Sequence, residues 1–260
     1  WGCIPTKALI KSAQVFEYLQ HAEDYGLKVK EYDKDFDAVV NRSRSVADTM
    51  SKGVQFLLKK NKIDVIKGYG SLLPGKKIHV KAEDGSEQEL SAQNIIIATG
   101  ARSRELPSLP QDGKKVIGYR KAMTLEKQPK KLIVVGSGAI GVEFAYFYNA
   151  MGTEVTLIEY LPRIVPVEDE EISKQMERSF KKSGIKVMTS AEVTSVYTSG
   201  KGVKATVKTK KGEEVVEADV VLSAVGIKTN IENIGLETVG IATDRDKILV
   251  NDFYQTNIPG

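Results

Sequence analysis

Apolar positions follow a helical period over the first sixty residues and then switch to short runs. Leu9, Ala13, Phe16 and Gln20 keep a 3.6-residue spacing, flanked by Ile10, Val15 and Leu19, which predicts a helix from Cys3 towards a stop at Gly26. Pro5 suits its first turn, where a missing N–H costs nothing. A second helix is predicted from about Asp35 to Lys60, with Phe36, Val39, Val40, Val46, Met50, Val54, Leu57 and Leu58 on one broad face. Residues 63–75 read as a strand and turn, and residues 76–92 as a hairpin around Asp84-Gly85. The run Asn94–Gly100, "NIIIATG", has the continuous apolar character of a buried strand. Residues 101–115 carry two Pro and a Gly among polar residues and read as a linker.

From Lys131 the pattern becomes β-α-β: strand Lys131–Val135, a Gly-rich turn, a helix to Met151 and strand Thr153–Glu159. A helix over about Asp169–Ser183 follows. Strands near 185–188, 191–198, 203–209 and 213–218 come next, then a buried strand within Asp219–Gly226. Alternating strand and helix implies an α/β fold with a parallel sheet, here with a β-meander inserted.

Composition narrows the picture modestly. Of 260 residues, 41% are hydrophobic and 28% charged, enough for a core in one large or two ordinary domains. The 38 basic against 34 acidic residues leave a net charge of only +4. The basic residues fall in scattered pairs without interleaved aromatics, so no nucleic-acid face is expected. No apolar run reaches the roughly 18 residues of a membrane span, and no membrane association is expected. The single cysteine suits a reducing compartment, and a cytoplasmic location is expected. No metal site is expected. His21 and His79 read as surface or hairpin histidines.

The turn after Lys131–Val135 contains Gly136, Gly138 and Gly141 in G-x-G-x-x-G spacing. Such spacing alone is weak. Here it follows an apolar strand, opens a helix and is answered by Glu159 at the end of the next strand, the full context of a dinucleotide-binding turn. Gly136 permits the tight turn, Gly138 lets backbone approach a pyrophosphate, and Gly141 lets helix and strand pack closely. Free N–H groups and the positive dipole end at the helix start favour phosphate. Glu159 would accept from ribose hydroxyls and repel a 2′-phosphate, favouring NAD over NADP. Arg163, four residues on, could favour a 2′-phosphate or be a plain surface residue.

Cys3 can be read as a small hydrophobe or as a thiol poised at a helix N-terminus, where the dipole favours thiolate. Its surroundings decide between these by resemblance. "WGCIPTKALI" resembles the redox-active segment G-C-I-P-[ST]-K of the flavoprotein disulfide reductases, most closely the dihydrolipoamide dehydrogenase branch. "IIIATGA" at 95–101, "GSGAIGVEFA", "SAVGIKTN" and "TNIPG" resemble further motifs of that family, in the right order. Where the family often has Arg after the A-x-G of the "SAVGIKTN" turn, this chain has Ile227, then Lys228.

The resemblance implies FAD and NAD as cofactors, and Rossmann-like flavin- and NAD-binding domains with interrupted connectivity. Residues 1–105 and 228–260 would belong to a partial flavin domain and 106–227 to the NAD domain. It implies an interior piece of a longer enzyme, which oxidises dihydrolipoamide through a redox disulfide and FAD to reduce NAD. By the same resemblance Cys3 is the sulfur beside the flavin, and Lys7 lies near the flavin and pairs with Glu143. Ile140 lines the nicotinamide pocket, and Thr99, Gly100 and Gly226 lie at cofactor-contacting turns. Partners would be a lipoyl-bearing protein or small dithiol, with the parent a homodimer. A lone Cys3 cannot cycle between dithiol and disulfide, so the chain as written is expected to bind NAD without turnover. The alternatives are an NAD-binding module alone, or a mercuric- or glutathione-reductase-like enzyme, disfavoured by Glu159 because those usually use NADPH.

Overall fold

The structure is a computed structural model that describes residues 1–260. Along the chain run α1 (Cys3–Gln20), α2 (Phe36–Lys60), β1 (Tyr69–Leu73), β2 (Lys77–Lys81), β3 (Glu87–Ser91), β4 (Ala101–Ser103) and β5 (Val116–Ile117). Then come α3 (Tyr119–Ala122), β6 (Lys131–Val135), α4 (Ala139–Ala150), β7 (Glu154–Ile158), α5 (Glu170–Lys182), β8 (Lys186–Met188), β9 (Glu192–Tyr197), β10 (Val203–Thr209), β11 (Gly212–Ala218) and β12 (Val220–Ser223). The chain closes with β13 (Ile227–Thr229), α6 (Leu236–Val239), β14 (Thr243–Asp244) and β15 (Lys247–Ile248). It divides into two compact units: residues 1–54 with 103–226, and residues 55–102 with 227–260.

The first unit is built on a parallel sheet of order β5-β12-β6-β7-β8. Side chains alternate across it, so each strand serves two cores. Leu132, Val134, Val155, Leu157 and Leu222 face one cluster with α4, α1 and α5. Ile133, Val135, Ile158 and Val221 face the other, closed by the antiparallel meander β9-β10-β11 through Val193, Val203, Ala205 and Val207. Because α4 is covered on both sides, it is apolar nearly all round, burying Val142, Phe144, Ala145, Phe147 and Tyr148. Helix α1 lies against it through Leu9 and Ala13. Helix α5 begins where the Asp169 carboxylate accepts the N–H groups of Glu171 and Ile172, at 2.8 and 3.3 Å.

The second unit contains the antiparallel sheet β1-β2-β3, with the expected hairpin at Asp84-Gly85, and the pairs β4–β13 and β14–β15. Three expectations are corrected here. Residues 94–100 form no strand: no neighbouring strand pairs with them, and Ile96 is 91% exposed. An apolar run lies buried in a sheet only when strands on either side take its N–H and C=O groups, and here Ile95 N–H finds only the Gly260 carbonyl, at 2.8 Å. On α2 the broad apolar face is used at Val40 but ends in exposed Met50, Val54 and Leu57. The 101–115 stretch is also more ordered than a linker. It opens with β4, and the Asp112 carboxylate gathers the N–H groups of Lys114, Lys115 and Val116.

Candidate functional site

The turn between β6 and α4 is shaped by what its glycines exclude. Gly136 has φ 97°, and a Cβ there would sit 2.4 Å from the Ala224 carbonyl oxygen. A Cβ on Gly141 would lie 1.9 Å from the Gly136 oxygen, so only glycine lets α4 start this close to the strand. Gly138 differs: a Cβ there meets nothing within 4 Å. It is the N-cap of α4, and no side chain caps the helix. The free N–H groups of the first turn therefore face open space beside a residue without a side chain, a cradle whose chemistry suits a phosphate.

Glu159 follows β7 and is 7% exposed. One carboxylate oxygen accepts both the Ser137 N–H at 2.8 Å and the Ser137 hydroxyl at 2.6 Å. The other accepts the Leu161 N–H at 2.8 Å. The acid is thus moored to the glycine turn. Arg163 points its guanidinium at the Pro166 carbonyl, 3.0 Å away, and lies 3.9 Å from Glu170, so its charge is engaged locally.

Helix α1 places the remaining candidates. Cys3 is exposed at the first helical position, and the first turn is closed by the Thr6 N–H and hydroxyl, both donating to the Gly2 carbonyl. One turn on, the Lys7 ammonium makes a direct salt bridge to the Glu143 carboxylate on α4. The pair is more open than a buried ion pair, with side-chain exposures of 60% and 30%. Further along, the Tyr146 hydroxyl of α4 donates to the Glu17 carboxylate of α1. Partial burial, then the adjacent Glu17 charge, push the Tyr146 phenol well above its ordinary 10.0. Ile140 is half-buried against the helix-side core. Gly226 turns the chain after β12 with φ 108°, and its carbonyl accepts the Arg104 N–H at 3.0 Å.

The first unit therefore brings together Cys3, Lys7, Glu143, Gly136, Gly138, Ile140, Gly141, Glu159 and Gly226. Thr99 and Gly100 belong to the second unit, where their carbonyls accept the Asn230 side-chain and backbone N–H groups, at 3.1 and 3.0 Å. No cluster of three His, Cys, Asp or Glu side chains is placed to hold a metal ion, and no helix is long and apolar enough to cross a membrane. Three features escaped the sequence reading. Ser137 was an unremarked residue inside the fingerprint, Glu17 and Tyr146 are 129 positions apart, and Trp1 stacks on the Arg44 guanidinium at 4.5 Å. Only Ser137 had a local signal, a hydroxyl between two glycines beside the strand that ends in Glu159.

The chain is similar to known proteins over its whole length. The family model described as pyridine nucleotide-disulphide oxidoreductase matches residues 1–260. The dihydrolipoyl dehydrogenase of Zymomonas mobilis is 44% identical over 259 residues, covering 99% of this chain and 56% of that protein. That of Chlorobaculum parvum is 44% identical over 261 residues, covering 100% and 56%. The crystal structure of LpdA from Mycobacterium tuberculosis superposes with a TM-score of 0.87 at 31% identity, covering 96% of this chain and 55% of that one. The chain thus spans about half the length of the curated relatives it matches. With the match running from the cysteine-bearing helix to the last glycine turn, this chain belongs to the pyridine nucleotide-disulphide oxidoreductase family.

Proposed function

We propose that the chain carries the redox-cysteine helix and NAD-binding domain of an NAD-dependent dihydrolipoyl dehydrogenase. The overall reaction converts dihydrolipoamide and NAD+ to lipoamide, NADH and a proton. The observation that carries this reading is the salt bridge from Lys7 on the cysteine-bearing helix to Glu143 on the fingerprint helix, which couples the thiol end of α1 to the dinucleotide turn. Similarity to dihydrolipoyl dehydrogenases supports the substrate class.

In this reading Cys3 is the thiol that exchanges electrons with the flavin. Lys7 and Glu143 keep a paired cation and carboxylate beside the reacting rings, and Ile140 lines the nicotinamide side. Gly136, Gly138 and Gly141 seat the NAD pyrophosphate on α4, and the open cradle at Gly138 fits that group. Glu159 takes a ribose hydroxyl. Thr99, Gly100 and Gly226 lie at cofactor-contacting turns, within a flavin domain of residues 1–105 and 228–260 around an NAD domain of 106–227. Bound FAD would supply the two-electron relay between sulfur and nicotinamide. The parent enzyme would act on a lipoyl-bearing protein or small dithiol, as a cytoplasmic homodimer without nucleic-acid or membrane partners. The 260 residues, with one cysteine, would bind NAD without turning over dithiol.

Calorimetric titration with NAD and NADP tests this reading, with a visible spectrum before and after dithiothreitol. NAD should bind, and NADP should bind about tenfold or more weakly because its extra phosphate meets the Glu159 carboxylate. Absence of binding by either nucleotide sinks the proposal. A preference for NADP would favour the glutathione- or mercuric-reductase-like alternative. A flavin band that gains a long-wavelength shoulder on reduction would show FAD bound beside a reactive Cys3 and refute the expected lack of redox function.

A further inference from the structure

We infer that Ser137 is a specificity-determining positioning residue: it holds the Glu159 carboxylate so that one acceptor position is left for ligand, and through Glu159 it sets the preference for NAD over NADP. This deepens the NAD-binding reading and rests on it. A carboxylate offers about four acceptor positions. Three at Glu159 are already filled, by Ser137 N–H, Ser137 hydroxyl and Leu161 N–H. Ser137 is fully buried, so its hydroxyl makes no alternative bond to water. The 2.6 Å contact is a short, charge-assisted hydrogen bond in a dry site, the kind that fixes a rotamer. With both oxygens tethered, Glu159 cannot swing aside to admit a 2′-phosphate, and its charge stays where that phosphate would lie. The single open position matches one ribose hydroxyl, which donates. A phosphate can only accept.

Removing the hydroxyl in Ser137→Ala leaves one backbone N–H on each oxygen, from Ser137 and Leu161, but takes away the shortest of the three tethers and so loosens the carboxylate. NAD then meets a less firmly placed acceptor and NADP a less firmly placed repulsion, so the affinities move in opposite senses. The test measures dissociation constants of NAD and NADP for the whole chain and for Ser137→Ala, Ser137→Thr, Glu159→Gln and the Ser137→Ala/Glu159→Gln double variant. Melting curves confirm that each is folded. The expected result is a fall of about tenfold in the NAD:NADP affinity ratio for Ser137→Ala, restoration by Ser137→Thr, and no further change when Ser137→Ala is added to Glu159→Gln. If the parent chain prefers NAD and Ser137→Ala keeps the ratio, or weakens both nucleotides equally, the inference is wrong while the NAD-binding reading stands. Should Ser137→Ala not fold, Ser137→Thr against Glu159→Gln decides: a changed ratio in the hydroxyl-bearing variant also overturns the inference. If the parent chain binds neither nucleotide, both fall together.

Discussion

At the scale of single residues, the three fingerprint glycines serve different ends, and substitution separates them. Gly141→Ala puts a methyl 1.9 Å from a backbone oxygen that cannot yield without opening the turn. It should destabilise the first unit by about 3 kcal/mol or more and abolish NAD binding with it. Gly138→Ala meets nothing within 4 Å and sits at φ −66°, which alanine adopts freely. The melting temperature should hold while NAD affinity falls more than about tenfold, since the methyl enters the space the pyrophosphate needs. Denaturation and titration of the pair check this, and a destabilised Gly138→Ala would show that the open cradle is wrong. Lys7→Gln is the complementary case. Its salt bridge is solvent-exposed, so stability should change by less than about 1 kcal/mol. Denaturant midpoints read this directly, and a larger loss would mean that the pair holds the helices together rather than serving chemistry.

At the scale of elements, the α1–α4 contact depends on Leu9 and Ala13 in the core and on the Tyr146–Glu17 hydrogen bond. Tyr146→Phe should cost about 1–2 kcal/mol near neutral pH, because Glu17 loses its donor. The same bond predicts an alkaline limit. Tyr146 and the buried Tyr148 both keep their protons to higher pH folded than unfolded, through burial first and, for Tyr146, the Glu17 charge. Above the ordinary phenol value of 10.0 the unfolded chain releases protons that the folded chain retains. Stability present below that pH must therefore fall as pH rises beyond it. Urea denaturation across this range should show the loss, shallower in Tyr146→Phe; an unchanged slope would remove Tyr146 as a cause. The β-α-β unit and α5 were legible in sequence because their signals are local: short apolar strands, glycines at fixed spacing between strand and helix, and a helical stretch opening near Asp169. Residues 94–100 and the exposed end of α2 misled because an apolar run reports what a segment needs, not whether a neighbour supplies it. The Glu17–Tyr146 bond and the Trp1–Arg44 stack are products of packing, with no periodic signature.

At the scale of the molecule, apolar burial is unevenly shared. Both hydrophobic clusters lie in the first unit, whereas the second buries only Val80, Ile234 and Leu236 among its apolar side chains. Those three contribute on the order of 5–9 kcal/mol by burial. The second unit also carries an open apolar groove of about 1210 Å³ lined by Leu73, Ile97, Val239, Ile248, Phe253 and Ile258. The second unit should accordingly open before the first. Amides of β1–β3 should exchange with solvent far faster than those of β6 and β7, and an environment-sensitive apolar dye should bind before heating. Limited proteolysis should cut within 61–68 or 249–260 while residues 131–223 persist. If instead β2 and β6 exchange at one rate through a single cooperative transition, the second unit draws stability from something other than its own apolar burial, and this account of the molecule fails.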